Sequence, residues 1–545
     1  MTGPQDHQAN RRHAGVVALL CALSLAGCGG GGGGGGGESP DDVRVSGRIS
    51  FDRVPTNPAT SGLDYSNISA EPARGVVVEA VDTTGRVLAE AITGSEGRYF
   101  VDVPGGRDVR IRAQARMRQT GSPSWDFRVI DNTSDDLLYA VESETISPSD
   151  GNETVNLRAD SGWDGAGYSG PRAAAPFAIL DAVYDAVQRV LEADPAVVFP
   201  PLLLNWSPLN RESEVFDPDS GQILTTAYIL DSQGTGIYVL GDENVDTDEY
   251  DAHVLAHEWG HYLEDRLARS DSTGGPHSIS ARLDLRLAFS EGWSNAFAGM
   301  ALDDPLYIDT FGFRQALGFS FDLEDNGGFN RGWYNESSVH SVLYDLYDDS
   351  SDGVDATSLG FGPLFETLTT ALAETVALTS IFSYAVPLKE ANPDEASAID
   401  ALLEGQNIVG VDMDIWGSTE INDAGGEDVL PIYHDIGVDR GPVTVCSNPQ
   451  FGTFNRTGVR QYLRFDVDLP GNHRISAFGS GDSDPDIVIY RRGFLAISES
   501  DQSDREVITF DLDNGVHVLE VYEWENLFSP GRGRTCFEVT VEVAA

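Results

Sequence analysis

The sequence predicts a multidomain protein in which an α+β region, residues 160–440, lies between two all-β sandwich regions, residues 43–159 and 441–545. Three observations lead to that division. From Val43 to Arg158 short stretches alternate apolar and polar residues, as half-buried strands do, with turn residues between them. In the middle of the chain apolar residues recur mainly at helical spacing. From Val443 onward the two-residue alternation returns. A chain of 545 residues has room for three or four domains.

Arg11, Arg12 and His13 precede an apolar run from Ala14 to Ala26, which ends in Leu25-Ala26-Gly27-Cys28. A charged segment, a short apolar segment and small residues at a cleavage point make residues 1–27 a secretory leader. The run is shorter than the roughly 20 residues that cross a bilayer. Its ending resembles a bacterial lipobox, and the resemblance implies cleavage before Cys28 and lipidation of that cysteine. Residues 28–42, with glycines from Gly29 to Gly37, then read as a flexible tether between lipid and folded protein. Cys21 leaves with the leader and Cys28 carries lipid, so Cys446 and Cys536 remain as a natural disulfide pair for an oxidising compartment. The alternative is two buried free thiols.

In the first β region, Val76–Val81, Arg86–Ile92 and Arg98–Val103 read as strands separated by Asp82-Thr83-Thr84-Gly85 and Thr93-Gly94-Ser95-Glu96-Gly97. Val109, Ile111, Ala113 and Ala115 then alternate with Arg110, Arg112, Gln114 and Arg116, giving one apolar and one basic face. The strand rhythm and the segment GSEGRYFVDVPGG resemble prealbumin-like, carboxypeptidase-regulatory β-sandwiches. The arginine face is either solvated or docked on another domain.

A helical pattern from Pro176 to Ala193 and strands near Leu202–Asn205, Thr225–Leu230 and Ile237–Leu240 lead to His257-Glu258-Trp259-Gly260-His261. Acidic Asp248, Glu249 and Asp251 precede this segment and Leu263, Leu267 and Ala268 continue its apolar stripe, so it belongs on a helix. Residues four apart share a helix face, and His257 and His261 can therefore present two imidazoles to one zinc ion. Glu258, rotated by about 100°, reaches past the metal as a general base must. Gly260 makes sense where a neighbouring backbone packs close to this face.

The next helical pattern, Leu287 to Met300, is apolar almost all round, and Glu291 is its one charged residue. A buried carboxylate needs a partner. Zinc held by His257, His261 and Glu291 would keep a fourth position open, whereas an ion pair with Arg282 or Arg286 is the plainer alternative. HEWGH followed by SEGWSNAF resembles the gluzincin metallopeptidases, the thermolysin-like group, and within it the fungalysin branch, whose second motif reads EGWSD. The resemblance spans roughly Gly167 to Asp439. It implies a gluzincin-type catalytic domain with zinc ligands His257, His261 and Glu291, Glu258 as base and proton shuttle, and Asn295 where the family has an aspartate that orients the first histidine. A longer spacing than thermolysin's between His261 and Glu291 leaves a loop with His277 and Asp284, whose roles the sequence does not assign.

The family also has an oxyanion-stabilising histidine in a Val-His step. Here Val339-His340 fits, with Tyr344 and Tyr334 as further candidates, while pairing of His340 with Glu336 four residues earlier remains open. Helical patterns at Gly362–Val376, Ser380–Glu390 and Glu395–Glu404 complete the α+β region.

In the last region Leu463, Phe465, Val467 and Leu469 alternate with polar residues, and Ile487–Tyr490 and Val516–Tyr522 follow. The piece Asp484-Pro485-Asp486-Ile487-Val488-Ile489-Tyr490 resembles the pre-peptidase C-terminal domains of secreted bacterial proteases. A Cys446–Cys536 bridge would fasten its first strand to its last. The net charge of −52 argues against nucleic-acid partners, which require basic surfaces. Acidic groups at Asp348, Asp349, Asp352 and Asp355, and at Asp482, Asp484 and Asp486, are either calcium ligands or solvated loops. Two function classes follow: a zinc endopeptidase hydrolysing extracellular or periplasmic polypeptides, and a lipid-anchored binding or adhesion protein with a structural or degenerate metal site. A retained base, Glu258, favours the first. Oligomeric state is not set by the sequence.

Overall fold

The computed structural model describes residues 42–544, apart from 150, 231–234, 326–327, 329 and 350–356. The leader, Cys28 and its tether, and Asp352 and Asp355, lie outside the described residues.

Strands β1 (Asp42–Arg53), β2 (Val76–Asp82), β3 (Val87–Ile92), β4 (Arg98–Pro104), β5 (Val109–Gln119) and β6 (Trp125–Asp131) open the chain. The alternation in β5 works as two faces. Val109, Ile111, Ala113, Ala115 and Met117 are fully buried, while Arg110, Arg112, Arg116 and Arg118 pair with Glu142, Glu79, Asp126 and Glu90 of the same region. The basic face is thus neutralised locally, which answers the two alternatives read from the sequence with a third.

The expected boundary between residues 159 and 160 is not a seam. Three later strands, β7 (Leu202–Trp206), β8 (Ala227–Leu230) and β9 (Thr235–Val239), join β2, β3, β5 and β6 in one sheet of order β8-β9-β7-β6-β5-β2-β3, while β1 and β4 pair in another. β7 pairs in parallel with β6, Leu202 opposite Phe127 and Leu204 opposite Val129. Such a sheet must be covered to bury its faces. Helix α1 (Ala175–Ala193) supplies cover with Phe177, Ile179, Val183 and Val187, and β2 is buried along its whole length. One hydrophobic core therefore runs from Val45 to Tyr433 and takes in Tyr462 and Val518 of the C-terminal strands, and the first region is built into the second instead of standing apart as a sandwich. Alternation along the chain reports burial of one strand face and cannot say which later strand will extend the sheet.

Helices α2 (Ala252–Leu267), α3 (Leu285–Leu302), α4 (Glu336–Asp345), α5 (Phe361–Thr367), α6 (Ile381–Ala391) and α7 (Ala396–Gly405) build the remaining layer. A hairpin, β10 (Leu306–Phe311) and β11 (Leu317–Asp322), sits between α3 and α4.

The C-terminal strands are β12 (Val443–Ser447), β13 (Arg460–Val467), β14 (Gly471–Phe478), β15 (Pro485–Tyr490), β16 (Phe494–Ser498), β17 (Arg505–Leu512), β18 (Gly515–Glu523) and β19 (Thr535–Val543). They form two sheets, β13-β18-β15-β16, extended beside β13 by the short parallel strand Tyr433–Asp435, and β12-β19-β14-β17, around a separate core of Leu463, Phe465, Ile475, Ile487, Leu519, Phe537 and their neighbours. Cys446 and Cys536 face one another on the first and last strands and form a disulfide.

The two cores are joined by a buried polar knot. Arg286, in the first turn of α3, contacts Asp284 at 2.9 Å and Glu520 of β18 at 2.8 Å, with side-chain exposures of 1%, 3% and 3%. Its Nη2 reaches the Tyr462 hydroxyl at 2.7 Å, the Nη1 that meets Glu520 also reaches the Tyr490 hydroxyl at 3.1 Å, and Arg460 closes on Glu520 at 2.7 Å. Arg286 is therefore committed to the sandwich and leaves Glu291 unpaired by arginine. Removing one partner of a buried pair leaves the other charge stranded. Arg286→Ala should cost about 3–5 kcal/mol, measured by chemical denaturation. Replacing Cys446 and Cys536 by serine opens a loop of about 90 residues and should lower the stability of the sandwich by about 4 kcal/mol, read from the same transition in the oxidised and substituted proteins.

Candidate metal centre

α2 and α3 cross at their small residues. A Cβ built on Gly260 would lie 3.0 Å from Ser294 Cα and 3.1 Å from Ser294 Oγ, so any side chain there would require α3 to give way by a few tenths of an ångström. A Cβ on Gly292 would meet Val339 Cβ at 2.4 Å, which sets α4 against the far side of α3 in the same way. α3 is buried from Leu285 to Ala301. These contacts bring the α2 face that carries His257 and His261 against the α3 face that carries Glu291.

The three side chains converge. His261 Nε2 lies 3.1 Å from His257 Nε2, and Glu291 Oε2 lies 3.2 Å from both of these nitrogens. Tetrahedral bonds of about 2.0–2.1 Å place ligand atoms about 3.3 Å apart, so this donor set fits a zinc-sized cation. The outer ring nitrogens are occupied elsewhere. His257 Nδ1 donates to Asn295 Oδ1 at 2.9 Å, and His261 Nδ1 lies 3.1 Å from Ser294 Oγ and 3.3 Å from Ser290 Oγ. Ser290 gives its proton to Glu264 at 2.6 Å and is left as an acceptor for His261. Both imidazoles are thereby held with Nε2 lone pairs pointing inward.

The field at the centre favours positive charge. Burial opposes charge on His261, yet the Glu291 carboxylate pushes its pKa up to about 9. Burial likewise works to raise the Glu291 carboxyl, and the His261 and His277 charges hold it well below the usual range. Glu264, fully buried, is pushed up to about 7 by that burial.

Glu258 is 8% exposed. Its Oε2 accepts the Tyr228 backbone N–H at 2.6 Å, and the Tyr228 hydroxyl donates to Asp265 at 2.7 Å. Tyr228 belongs to β8, the last strand of the large sheet, so α2 is laced to a sheet edge that passes directly over Glu258.

The further site residues read from the sequence are not gathered here. His340 is completely buried, neither ring nitrogen has a hydrogen-bond partner, and its ring stacks on Phe321 at 5.4 Å. Burial pushes its pKa down to about 3. Tyr344 is 3% exposed and packs on Gly299, about two turns beyond Glu291. Tyr334 directs its hydroxyl to Arg331 and Asn422.

A different imidazole stands beside the trio. His277 Nε2 lies 3.4 Å from Glu291 Oε2, and its Nδ1 is bound to Glu336 Oε2 at 2.9 Å. Its side chain is 35% exposed. Burial opposes its charge, yet Glu291 and Glu336 push it up to about 10. Glu336 is thus the partner of His277, not of His340. The i,i+4 spacing suggested the wrong pair because Glu336 sits in the first turn of α4 and turns toward the preceding loop. The signal for His277 was a histidine in a long loop between two ligand-bearing helices. Asp284, the other unassigned residue of that loop, caps α3 by accepting from the Arg286 N–H at 3.1 Å.

Among the described residues no helix is long and apolar enough to cross a membrane. Residues 201–385, about a third of the 545, match the family model described as the Mycolysin C-terminal domain. That span contains α2, α3 and α4, and it ties the middle of the chain to a peptidase-associated domain. A comparison with curated proteins gave no match. Among solved structures, the pre-peptidase C-terminal domain of a collagenase from Bacillus anthracis is 17% identical and covers 20% of this chain and 93% of that chain, with a TM-score of 0.16. CorA, a surface-associated copper-binding protein of Methylomicrobium album, is 7% identical and covers 21% and 98%, with a TM-score of 0.16. TM-scores of this size carry no argument about fold or function.

Proposed function

We propose that the chain is a gluzincin-type zinc peptidase, an endopeptidase acting on exported or extracellular polypeptides. The observation that carries this reading is the convergence of His257, His261 and Glu291 to 3.1–3.2 Å beside the Glu258 carboxylate. Two imidazoles and one carboxylate suit zinc and leave a position free, the arrangement of catalytic and not of closed structural sites. Zinc bound there supplies a Lewis acid for the scissile carbonyl and acidifies water.

The chain's own groups do the rest. Glu258 takes the proton of the attacking water and passes it to the leaving amine. Asn295, Ser294 and Ser290 keep the two histidines turned inward. His277, fixed by Glu336, takes the oxyanion role that the sequence had suggested for His340, because it holds an exposed N–H beside the reacting position. Beyond Tyr228, whose N–H Glu258 takes, the outer edge of β8 receives an extended substrate by strand addition. Lipidation at Cys28 would hold this centre at the cell envelope on a glycine tether.

Zinc content and peptide turnover, measured together, test the assignment. Glu258→Gln should keep zinc and lose turnover. Glu291→Ala should lose zinc. His277→Ala should keep zinc and lower kcat by about 10²–10³-fold, whereas His340→Phe should leave kcat near wild type. Full zinc and activity in Glu291→Ala would overturn the reading. Loss of zinc in His277→Ala would make His277 a ligand and remove its oxyanion role.

A further inference from the structure

The loop between α2 and α3 carries His277 and forms no helix or strand of its own. A loop of this length inside a compact body is usually functional, and its buried backbone groups need partners from elsewhere. Its two ends are tied to the helical layer. Arg269 donates to the carbonyls of Thr375 and Ala377, both at 2.7 Å, and Asp271 accepts from the Thr379 N–H at 3.0 Å. After His277, Asn335 and Ser337 at the start of α4 donate to the Ile279 carbonyl at 2.9 and 3.0 Å.

The middle of the loop is held by the C-terminal sandwich. Asn455, 1% exposed, donates from Nδ2 to Gly274 O at 2.8 Å and to Pro276 O at 3.0 Å, and Arg456 Nη1 donates to Pro276 O at 2.8 Å. Phe454 lays its ring where a Cβ on Gly275 would stand, 2.3 Å from Cε1. Phe454 itself has a φ of 67°, which a bulky side chain adopts only where its surroundings impose it. Here they do: the Phe454 N–H donates to Asn526 O at 3.0 Å, and Arg460 at the start of β13 donates to the Phe454 carbonyl. Two backbone bonds complete the clamp, from the Asp284 N–H to Asn455 O at 2.8 Å and from the Thr457 N–H to Arg282 O at 3.1 Å. Pro276 immediately precedes His277, so the grip on its carbonyl fixes the direction in which the imidazole leaves the chain. Glu336 fixes the ring from the other side through Nδ1.

We propose that the C-terminal sandwich is a working part of the peptidase centre: Phe454, Asn455 and Arg456 are positioning residues that hold the His277 loop so that His277 stays beside Glu291. The inference rests on the oxyanion role given to His277 above. His277 Nε2 stands 3.4 Å from Glu291 Oε2, and a misplacement of about 1 Å at such a position can cost about 10²-fold in rate. The clamp grips backbone next to His277, whereas the two ligand histidines are oriented by Asn295, Ser294 and Ser290 of α3. Its loss should therefore move His277 and spare the metal.

Full-length, zinc-loaded protein is compared in peptide turnover, zinc content and amide hydrogen exchange of residues 272–284. Asn455→Asp removes both donated bonds at nearly constant shape. It should keep zinc, lower kcat about 10–100-fold with KM within about twofold, and speed exchange in that segment at least about tenfold. Arg456→Ala should act in the same direction more weakly, and it carries the comparison should Asn455→Asp fail to fold. Arg456→Lys, which returns a donor to Pro276, should recover most of the loss. In a His277→Ala background Asn455→Asp should lower kcat no further, because it acts through that imidazole. Ile475→Val, in the sheet of the sandwich that does not carry the clamp, should lower Tm and leave kcat as in wild type. Wild-type kcat in both Asn455→Asp and Arg456→Ala would overturn the proposal, as would an equal fall in kcat with and without His277. Should zinc-loaded wild type show no turnover, the peptidase reading fails on its own, and unchanged exchange in 272–284 would then overturn the clamp separately.

Discussion

The contact between Gly260 and Ser294 is the constraint on which the candidate centre depends. Ligand atoms gathered to 3.1–3.2 Å require the two helices that carry them to approach backbone to side chain. A methyl group at Gly260 would crowd Ser294 at 3.0 Å and require the helices to part by a few tenths of an ångström. Glycine in a helix interior costs roughly 1 kcal/mol relative to alanine. The cost is offset only because the crossing buries α3 from end to end and brings three charged or polar groups to one point.

Such a crossing must also be held at a fixed angle, and each helix is fastened to a different body. α2 is laced to the large sheet through Tyr228, whose backbone meets Glu258 and whose hydroxyl meets Asp265. α3 is fastened to the C-terminal sandwich through Asp284 and Arg286. The sheet and the sandwich flank the helical layer in sequence, and in space they anchor its two essential helices. A side-chain network without free rotamers is what keeps ligands within tenths of an ångström of one another.

Acidity is handled in three ways in this chain of net charge −52. On the first strands carboxylates are paired with an arginine row. At the histidine centre Glu291 is balanced by imidazoles. At Asp246, Asp248 and Asp309 no basic side chain among the described residues serves, and the carboxylates face one another with orphaned oxygens.

What the sequence by itself determined were the local periodicities: the strand faces of Val109–Met117, the helix that bears His257 and His261, and the buried helix around Glu291. Each follows from spacing within one element, because a helix or strand fixes which neighbours share a face. Tertiary structure decided everything that joins distant elements. It merged residues 76–131 with 202–239 in one sheet, because edge strands pair with whatever strand the chain brings alongside. It gave Glu336 to His277 and buried His340 behind Phe321, because the direction of a loop is set by packing at both of its ends. It also drew Asp309 to Asp246 and Asp248 across more than sixty residues, a meeting of like charges that no local rule would place together.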